Sequence, residues 1–272
     1  MRINRFFLLL FMAVSMLSCK NEFERVRAGG NPDMIYEYGF KLYEKGEYLK
    51  AQTLFEQILS SYRGREQAEN LYFSYAYTHY HLRSYLSAAF YFKNFAQTFS
   101  TSSLREEAEF MSAFSNYKLS PGHKLDQTYT LKAIEDFQNF INLYPNSPKV
   151  EQSNAYIDEL RVKLEQKAFN EGQLYFDLKQ YQSAMQSFEN LLRDYPETTN
   201  AELVRFQILQ SAFLLAENSI YEKQKDRYQE VLAKHEVFKN KYPRSKMLKE
   251  ATAIRNKSNE KLKEFSNVRY QN

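Results

Sequence analysis

Residues 181–198 read YQSAMQSFENLLRDYPET. Ala184 is followed four residues later by Phe188, and eight residues beyond that stands Pro196. A spacing of four puts the small residue and the ring on one stripe of a helix. Proline cannot continue a helix interior, so Pro196 fixes where that helix has ended. The small-to-aromatic interval recurs at Ala51 and Phe55, Ala88 and Phe92, Ala133 and Phe137, and more weakly at Val231 and His235. Eight residues past each second position stand Arg63, Ser100, Pro145, Pro196 and Pro243, and the three prolines follow Tyr144, Tyr195 and Tyr242.

A recurrence of this kind marks a helical repeat protein, and this signature is that of the second helix of a tetratricopeptide repeat (TPR). The expected fold is therefore all-α: an α-solenoid of about five TPR helix pairs over residues 33–265 with a C-terminal capping helix. Twelve residues upstream, Gly39, Ala76 and Gly172 supply the matching small residue on the first helix. We expect the small residues at the closest crossing within a pair, with the aromatic filling the gap toward the next repeat. Tyr48, Tyr85 and Tyr181, three residues before the alanines, are expected to plug the turn between helices, with Gly46 as a helix stop.

The steps between anchor positions are 37, 45, 51 and 47 residues, against about 34 for a minimal repeat. The extra residues of repeat 3 fall at Ser120-Pro121-Gly122-His123, a helix-breaking run between its helices. Val150 to Leu178 lacks proline and reads as one long helix of about 43 Å at 1.5 Å per residue, or as two end to end. Residues 219–226 lengthen a loop or helix end in repeat 5. Leu248 to Phe265, apolar at Leu248, Ala251, Ile254, Leu262 and Phe265, reads as the cap, followed by a tail at 266–272.

Seven Gly and six Pro in 272 residues argue against a turn-rich sheet fold. The formal charge of +4 falls to +2 once Arg2 and Arg5 are removed with residues 1–18, and nothing in that balance asks for nucleic acid. Those eighteen residues have a basic start, an apolar run from Phe6 through Val14 and a small-residue stretch, the layout of a signal peptide. The run is too short for the roughly twenty residues of a membrane-spanning helix. The single cysteine, Cys19, follows directly, so the segment resembles a lipoprotein signal in which Cys19 carries the lipid. Met16 stands where that motif places leucine. Residues 19–32, ending Gly29-Gly30-Asn31-Pro32, read as a lipidated N-terminus and a short flexible tether.

No phosphate loop, nucleophile elbow, paired-cysteine motif or HExxH is present, so neither an enzyme nor a cofactor or metal site is expected. Of the four histidines, His79 and His81 point to different faces of a predicted helix, and His235 occupies a repeat core position. The informative residues line the first helices: Tyr36, Phe40 and Tyr43, then Phe73, Tyr77 and Tyr80, then Phe110, Phe114 and Tyr117. The i, i+4, i+7 spacing makes each set one stripe. Stacked, the stripes form either an aromatic groove for an extended peptide or packing between successive first helices.

Together the lipoprotein signal, the five repeats and the ends Tyr144-Pro145-Asn146-Ser147, Tyr195-Pro196-Glu197-Thr198 and Tyr242-Pro243-Arg244-Ser245 resemble the BamD family of the outer-membrane β-barrel assembly machinery. The likeness runs from about Met34 to Phe265. It implies a non-catalytic scaffold, lipid-anchored to the outer membrane and facing the periplasm. Its N-terminal repeats would hold the C-terminal segments of unfolded outer-membrane proteins on Tyr36, Phe40, Tyr43, Phe73, Tyr77 and Tyr80. Its C-terminal repeats would dock a BamA-like barrel protein, alongside other assembly lipoproteins. The family arginine near the start of repeat 5 has no clear counterpart, since Asn200 and Ala201 occupy that region and Arg205 is only nearby. The competing reading is a TPR adaptor of another envelope secretion, cell-wall or division complex.

Overall fold

The structure, a computed structural model, describes residues 21–29 and 31–268, and among them every regular element is α-helix. Cys19 and the signal segment 1–18 lie outside the described residues, as do residues 269–272. The helices are α1 (Asn21–Gly29), α2 (Pro32–Glu44), α3 (Tyr48–Ile58), α4 (Ala68–His81), α5 (Tyr85–Thr98) and α6 (Arg105–Leu119). They continue as α7 (Thr128–Leu143), α8 (Val150–Asp177), α9 (Tyr181–Asp194), α10 (Ala201–Glu217), α11 (Tyr221–Lys241) and α12 (Leu248–Val268). The chain forms two compact units, the first ending at Leu160 and the second running from Arg161, with Gly122–Lys124 belonging to the second. Each unit is an α-solenoid of TPR-type pairs, with consecutive helices packed on one another from α2 to α7 and from α9 to α12.

Within a pair, the small residue of the first helix seats the ring of the second. A Cβ on Gly39 would stand 2.8 Å from Phe55, and one on Gly172 would stand 2.6 Å from Phe188. Both rings are completely buried. This corrects the expectation that the aromatic fills the gap toward the next repeat. The missing Cβ of each glycine leaves a space that the ring fills, and that space lies inside the ring's own hairpin. Phe137 in addition meets a following helix, with Tyr156 of α8 at 5.3 Å.

The turns inside the pairs share one geometry. Gly46, Arg83 and Lys179, each five residues before the alanine of the second helix (Ala51, Ala88 and Ala184), have φ of 77°, 59° and 59°. In each turn the next residue's N–H reaches back five residues: Glu47 to Leu42, Ser84 to His79 and Gln180 to Tyr175, all at 2.9 Å. This is the left-handed C-terminal stop that glycine favours, formed twice without glycine. Across each turn the expected plug is present: Tyr43 and Tyr48 lie 5.5 Å apart, Tyr80 and Tyr85 5.7 Å, Phe176 and Tyr181 5.8 Å.

The repeat ends explain their own serine or threonine. Ser147 Oγ donates to Glu106 of the preceding first helix at 2.6 Å and accepts from Lys149 N at 3.1 Å. Thr198 repeats the device with Glu165 (2.5 Å) and Asn200 N (3.1 Å), and Ser102 with Glu69 (2.7 Å) and Leu104 N (3.1 Å). One hydroxyl thus caps an incoming helix while tying it to the helix before.

The insertions fall where the sequence breaks. Residues 120–127 connect α6 to α7, Val150–Asp177 is a single helix of 28 residues, and the added residues of repeat 5 extend α11 from Tyr221. The stretch read as a tether is not free. Asn21–Gly29 is helical, Val26 is buried and Phe23 packs on the unit 1 core. Asn31 then caps α2, its Oδ1 accepting from Asp33 N at 3.0 Å, and Pro32 occupies the first turn. In unit 2, α12 buries Ala251 and Ile254 on the core and ends the array.

Candidate functional site

The three aromatic stripes converge in unit 1. On α2, Tyr36 and Phe40 lie 4.6 Å apart and Phe40 and Tyr43 6.4 Å. On α4, Phe73 and Tyr77 lie 5.0 Å apart and Tyr77 and Tyr80 6.4 Å. On α6 the steps are 5.9 and 5.6 Å from Phe110 through Phe114 to Tyr117. Stripe joins stripe through His81, 6.2 Å from Tyr43 and 5.9 Å from Tyr77, and through the Tyr80–Phe114 contact at 6.1 Å. The result is one aromatic face drawn from three successive first helices.

Neither simple expectation, groove or core, describes it alone. Tyr36, Phe40, Tyr43, Phe73, Tyr77, Tyr80, Phe114 and Tyr117 are all half-buried, and only Phe110 is buried. Each ring sets one edge on the core: Phe40 on Phe55 at 4.8 Å, Phe73 on Phe95 at 5.2 Å, Tyr77 on Phe92 at 4.9 Å. The opposite edge meets solvent. Such pairs contribute about 0.5–1.5 kcal/mol each beyond area burial, so the rings are held in place before anything touches them.

The hydroxyls divide into two kinds. Tyr77 donates to Glu107 at 2.8 Å and Tyr117 to Glu159 at 2.7 Å, while those of Tyr43 and Tyr80 have no protein partner. Burial pushes the Tyr43 phenol up to about 12, helped by Tyr48, and burial followed by the Glu159 hydrogen bond does the same for Tyr117. Burial and then Glu107 push Tyr77 higher still. All three are neutral hydrogen-bonding groups at physiological pH. Charge enters at the α6 edge, where the Lys118 ammonium lies 4.7 Å over Phe114 and the Lys149 ammonium 4.6 Å over Phe110. Lys149 also bonds Glu107.

Sequence reading missed part of this face. His81 stacks on Tyr48 at 4.1 Å, so the turn plug of repeat 1 also belongs to the face. Tyr156 of α8 closes the far side, 4.6 Å from Tyr117. The signal for His81 was available, because it stands four residues after Tyr77 and so continues the α4 stripe. His79 points away as expected, stacked on Tyr91 at 4.7 Å. A second apolar hollow, of 270 Å³, lies in unit 2 between Phe176, Phe213, Leu214 and Ile254. It was hidden because Gln173 interrupts the Phe169–Phe176 stripe. Asn200, Ala201 and Arg205 all fall on the start of α10, and Arg205 lines a different hollow with Leu192, Ile208 and Val237.

Among the described residues no cluster of His, Cys, Asp and Glu is arranged to hold a metal ion, and no helix is long and apolar enough to cross a membrane. A thermophilic TPR protein of Thermus thermophilus is similar at 15% identity and a TM-score of 0.33, over 82% of this chain and 98% of its own. No curated protein matches in sequence. The family described as "YfiO: Outer membrane lipoprotein" matches residues 29–214, which covers the whole aromatic face and reaches into both units. That match spans more than half of the sequence, and the chain belongs to the YfiO family of outer membrane lipoproteins.

Proposed function

We propose that this protein is the lipid-anchored TPR scaffold of an outer-membrane β-barrel assembly machine, in the manner of BamD. On this reading Cys19 carries the acyl chains and the repeats face the periplasm. Unit 1 captures the C-terminal segments of unfolded outer-membrane proteins, and unit 2 docks a BamA-like barrel protein. Family membership supports the membrane and the lipoprotein character. The observation that carries the capture step is the aromatic face, with Tyr36, Phe40, Tyr43, Phe73, Tyr77 and Tyr80 each fixed at one edge and open at the other.

A barrel strand alternates apolar and polar residues, so an extended segment laid on this face can set apolar side chains between rings. The free hydroxyls of Tyr43 and Tyr80 then remain for its backbone. Aromatic side chains suit that task because they bring large area for little conformational entropy. The role is binding without turnover.

The test is capture of a peptide ending in an aromatic residue by the full chain and by Tyr77→Ala and Phe73→Ala, with helicity followed alongside. Weakened capture with helicity kept supports the reading; equal loss of both reduces the face to a core. Recovery of a BamA-like barrel from solubilised envelopes tests the partner, and recovery of some other envelope complex in its place would favour the adaptor. Cys19→Ser is expected to release the protein from the membrane fraction, since acyl burial contributes about 0.8 kcal/mol per methylene.

A further inference from the structure

Unit 2 carries a cavity that the aromatic face does not explain. It measures 390 Å³ and lies where the end of α10, the start of α11 and the last turns of α12 meet. One wall is aromatic, with Tyr221 and Phe265 at 4.8 Å. Its inner surface is Tyr228, only 2% exposed, whose hydroxyl has no hydrogen-bond partner. Tyr228 is thus buried as a residue while its hydroxyl opens on the cavity, and there it is offered to a ligand with no protein group competing for it.

The remaining lining is rich in acceptors. Gln224 spends its NH₂ group on the Ser219 and Glu217 carbonyls at 3.1 and 3.4 Å, which leaves its side-chain oxygen for the cavity. Glu217 has no ion pair, and it ends α10, where the helix dipole is negative. Glu264 is paired only with Lys261, at 3.1 Å. Two carboxylates therefore face one ammonium, and the fields of both reach the Tyr228 phenol and help to raise its pKa, after burial. Rings, carboxylates and unfilled acceptors around one space are the chemistry of a cationic N–H donor.

We propose that this cavity binds the guanidinium group of an arginine side chain on a partner protein, laid against the wall formed by the Tyr221 and Phe265 rings with its N–H groups on Glu217, Tyr228 and Gln224. Arginine is the occupant that fits, because its planar fork of five donors can lie flat on the rings while reaching several acceptors, whereas the compact ammonium of a lipid headgroup has no flat face. The site is independent of the aromatic face in unit 1 and of what that face binds.

The experiment uses the full chain carrying Cys19→Ser, so that no acyl anchor confounds a vesicle measurement. Calorimetric titration with N-acetyl-arginine amide is compared with N-acetyl-citrulline amide, its uncharged isostere. Flotation with ethanolamine-headgroup vesicles is compared with choline-headgroup vesicles, which lack the N–H donors. Arginine binding without citrulline binding, weakened about tenfold by Glu217→Gln, supports the site and a protein side chain as its source. Glu217-dependent flotation with ethanolamine vesicles and no arginine binding overturns the assignment to a protein side chain. Lys261→Met removes the internal competitor and is expected to tighten arginine binding. Citrulline binding as well as arginine, or Glu217→Gln and Tyr228→Phe both behaving as the parent in both arms, overturns the proposal.

Discussion

Gly172→Ala tests the ring seat that organises each pair. Added at Gly172, a Cβ would stand 2.6, 2.7 and 3.0 Å from Cε1, Cδ1 and Cζ of Phe188, where carbon atoms rest comfortably at about 3.5–4.0 Å. Phe188 is fully buried, so its ring must move by roughly 1 Å inside a packed core. Overpacking of this kind costs about 1–3 kcal/mol, and three atoms in collision place it near the upper end. Replacing glycine by alanine inside a helix returns about 1 kcal/mol. The net expected loss is about 2 kcal/mol, or a fall of about 4–8 °C in the melting midpoint for a chain of this size. Thermal and urea melts followed by circular dichroism measure it. Gly39→Ala, whose Cβ would meet Phe55 at 2.8 and 3.0 Å, is expected to lose less. Trimming the ring in Phe188→Leu reopens the space, so the double variant with Gly172→Ala is expected to be less destabilised than the sum of its parts. A Gly172→Ala midpoint above that of the parent would show that the gain in helix propensity prevails, and the reasoning about the seat would be wrong.

Three further expectations rest on single geometries. Arg83→Gly and Lys179→Gly relieve a left-handed residue at φ 59° and are expected to stabilise by up to about 1 kcal/mol each, read as raised urea midpoints; a clear loss would show that the Cβ is tolerated there. Ser147→Ala removes both the bond to Glu106 and the cap on Lys149 N, with an expected loss of about 1–3 kcal/mol; a change below about 0.5 kcal/mol would reduce the clamp to a contact. His79 accepts from Gln52 Nε2 at 3.0 Å and keeps its buried Nε2 without a partner, and burial lowers its pKa below 6.5. The unfolded chain then binds the proton more readily, so stability present above pH 6.5 falls as the pH drops toward the folded value. His81, shifted the same way by burial, adds to the slope, and a His79→Gln variant is expected to lose part of the difference in melting midpoint between pH 8 and pH 5.5.

The repeat fold was legible because proline, small residue and ring recur at fixed intervals, and each has one mechanical use. Pro145, Pro196 and Pro243 cannot continue a helix interior, so the apolar-periodic runs before them had to stop there, which fixed the ends of α7, α9 and α11 before any packing was known. Which neighbour a ring seeks is not a property of spacing. Phe55 and Phe188 turn inward onto glycine because of a void, and a void is three-dimensional. The helix α1 was lost for a related reason: Gly29, Gly30 and Asn31 do break the chain, but Phe23 and Val26 gain a core to pack on, and that gain outweighs weak local preference. The left-handed turns at Arg83 and Lys179 carry no residue that announces them. Only their register with Gly46 does.

Half-buried rings serve fold and surface at once, so truncation to alanine mixes the two effects. Removing single oxygens separates them. Tyr77 donates to Glu107, which also holds Lys149 beside the Phe110 ring. Tyr77→Phe leaves a partly buried carboxylate one bond short and is expected to cost about 1 kcal/mol of stability. The Tyr80 hydroxyl has no protein partner, so Tyr80→Phe is expected to change stability by less than about 0.5 kcal/mol. If an extended segment binds across the face, however, Tyr80→Phe removes a hydrogen bond made only in the complex, and capture weakens several-fold while the melt is unchanged. A solely structural face predicts the same melts, with Tyr77→Phe felt and Tyr80→Phe not, but leaves Tyr80→Phe silent in capture as well. Silence of Tyr80→Phe in peptide capture would count against the hydroxyl as a contact for the bound backbone.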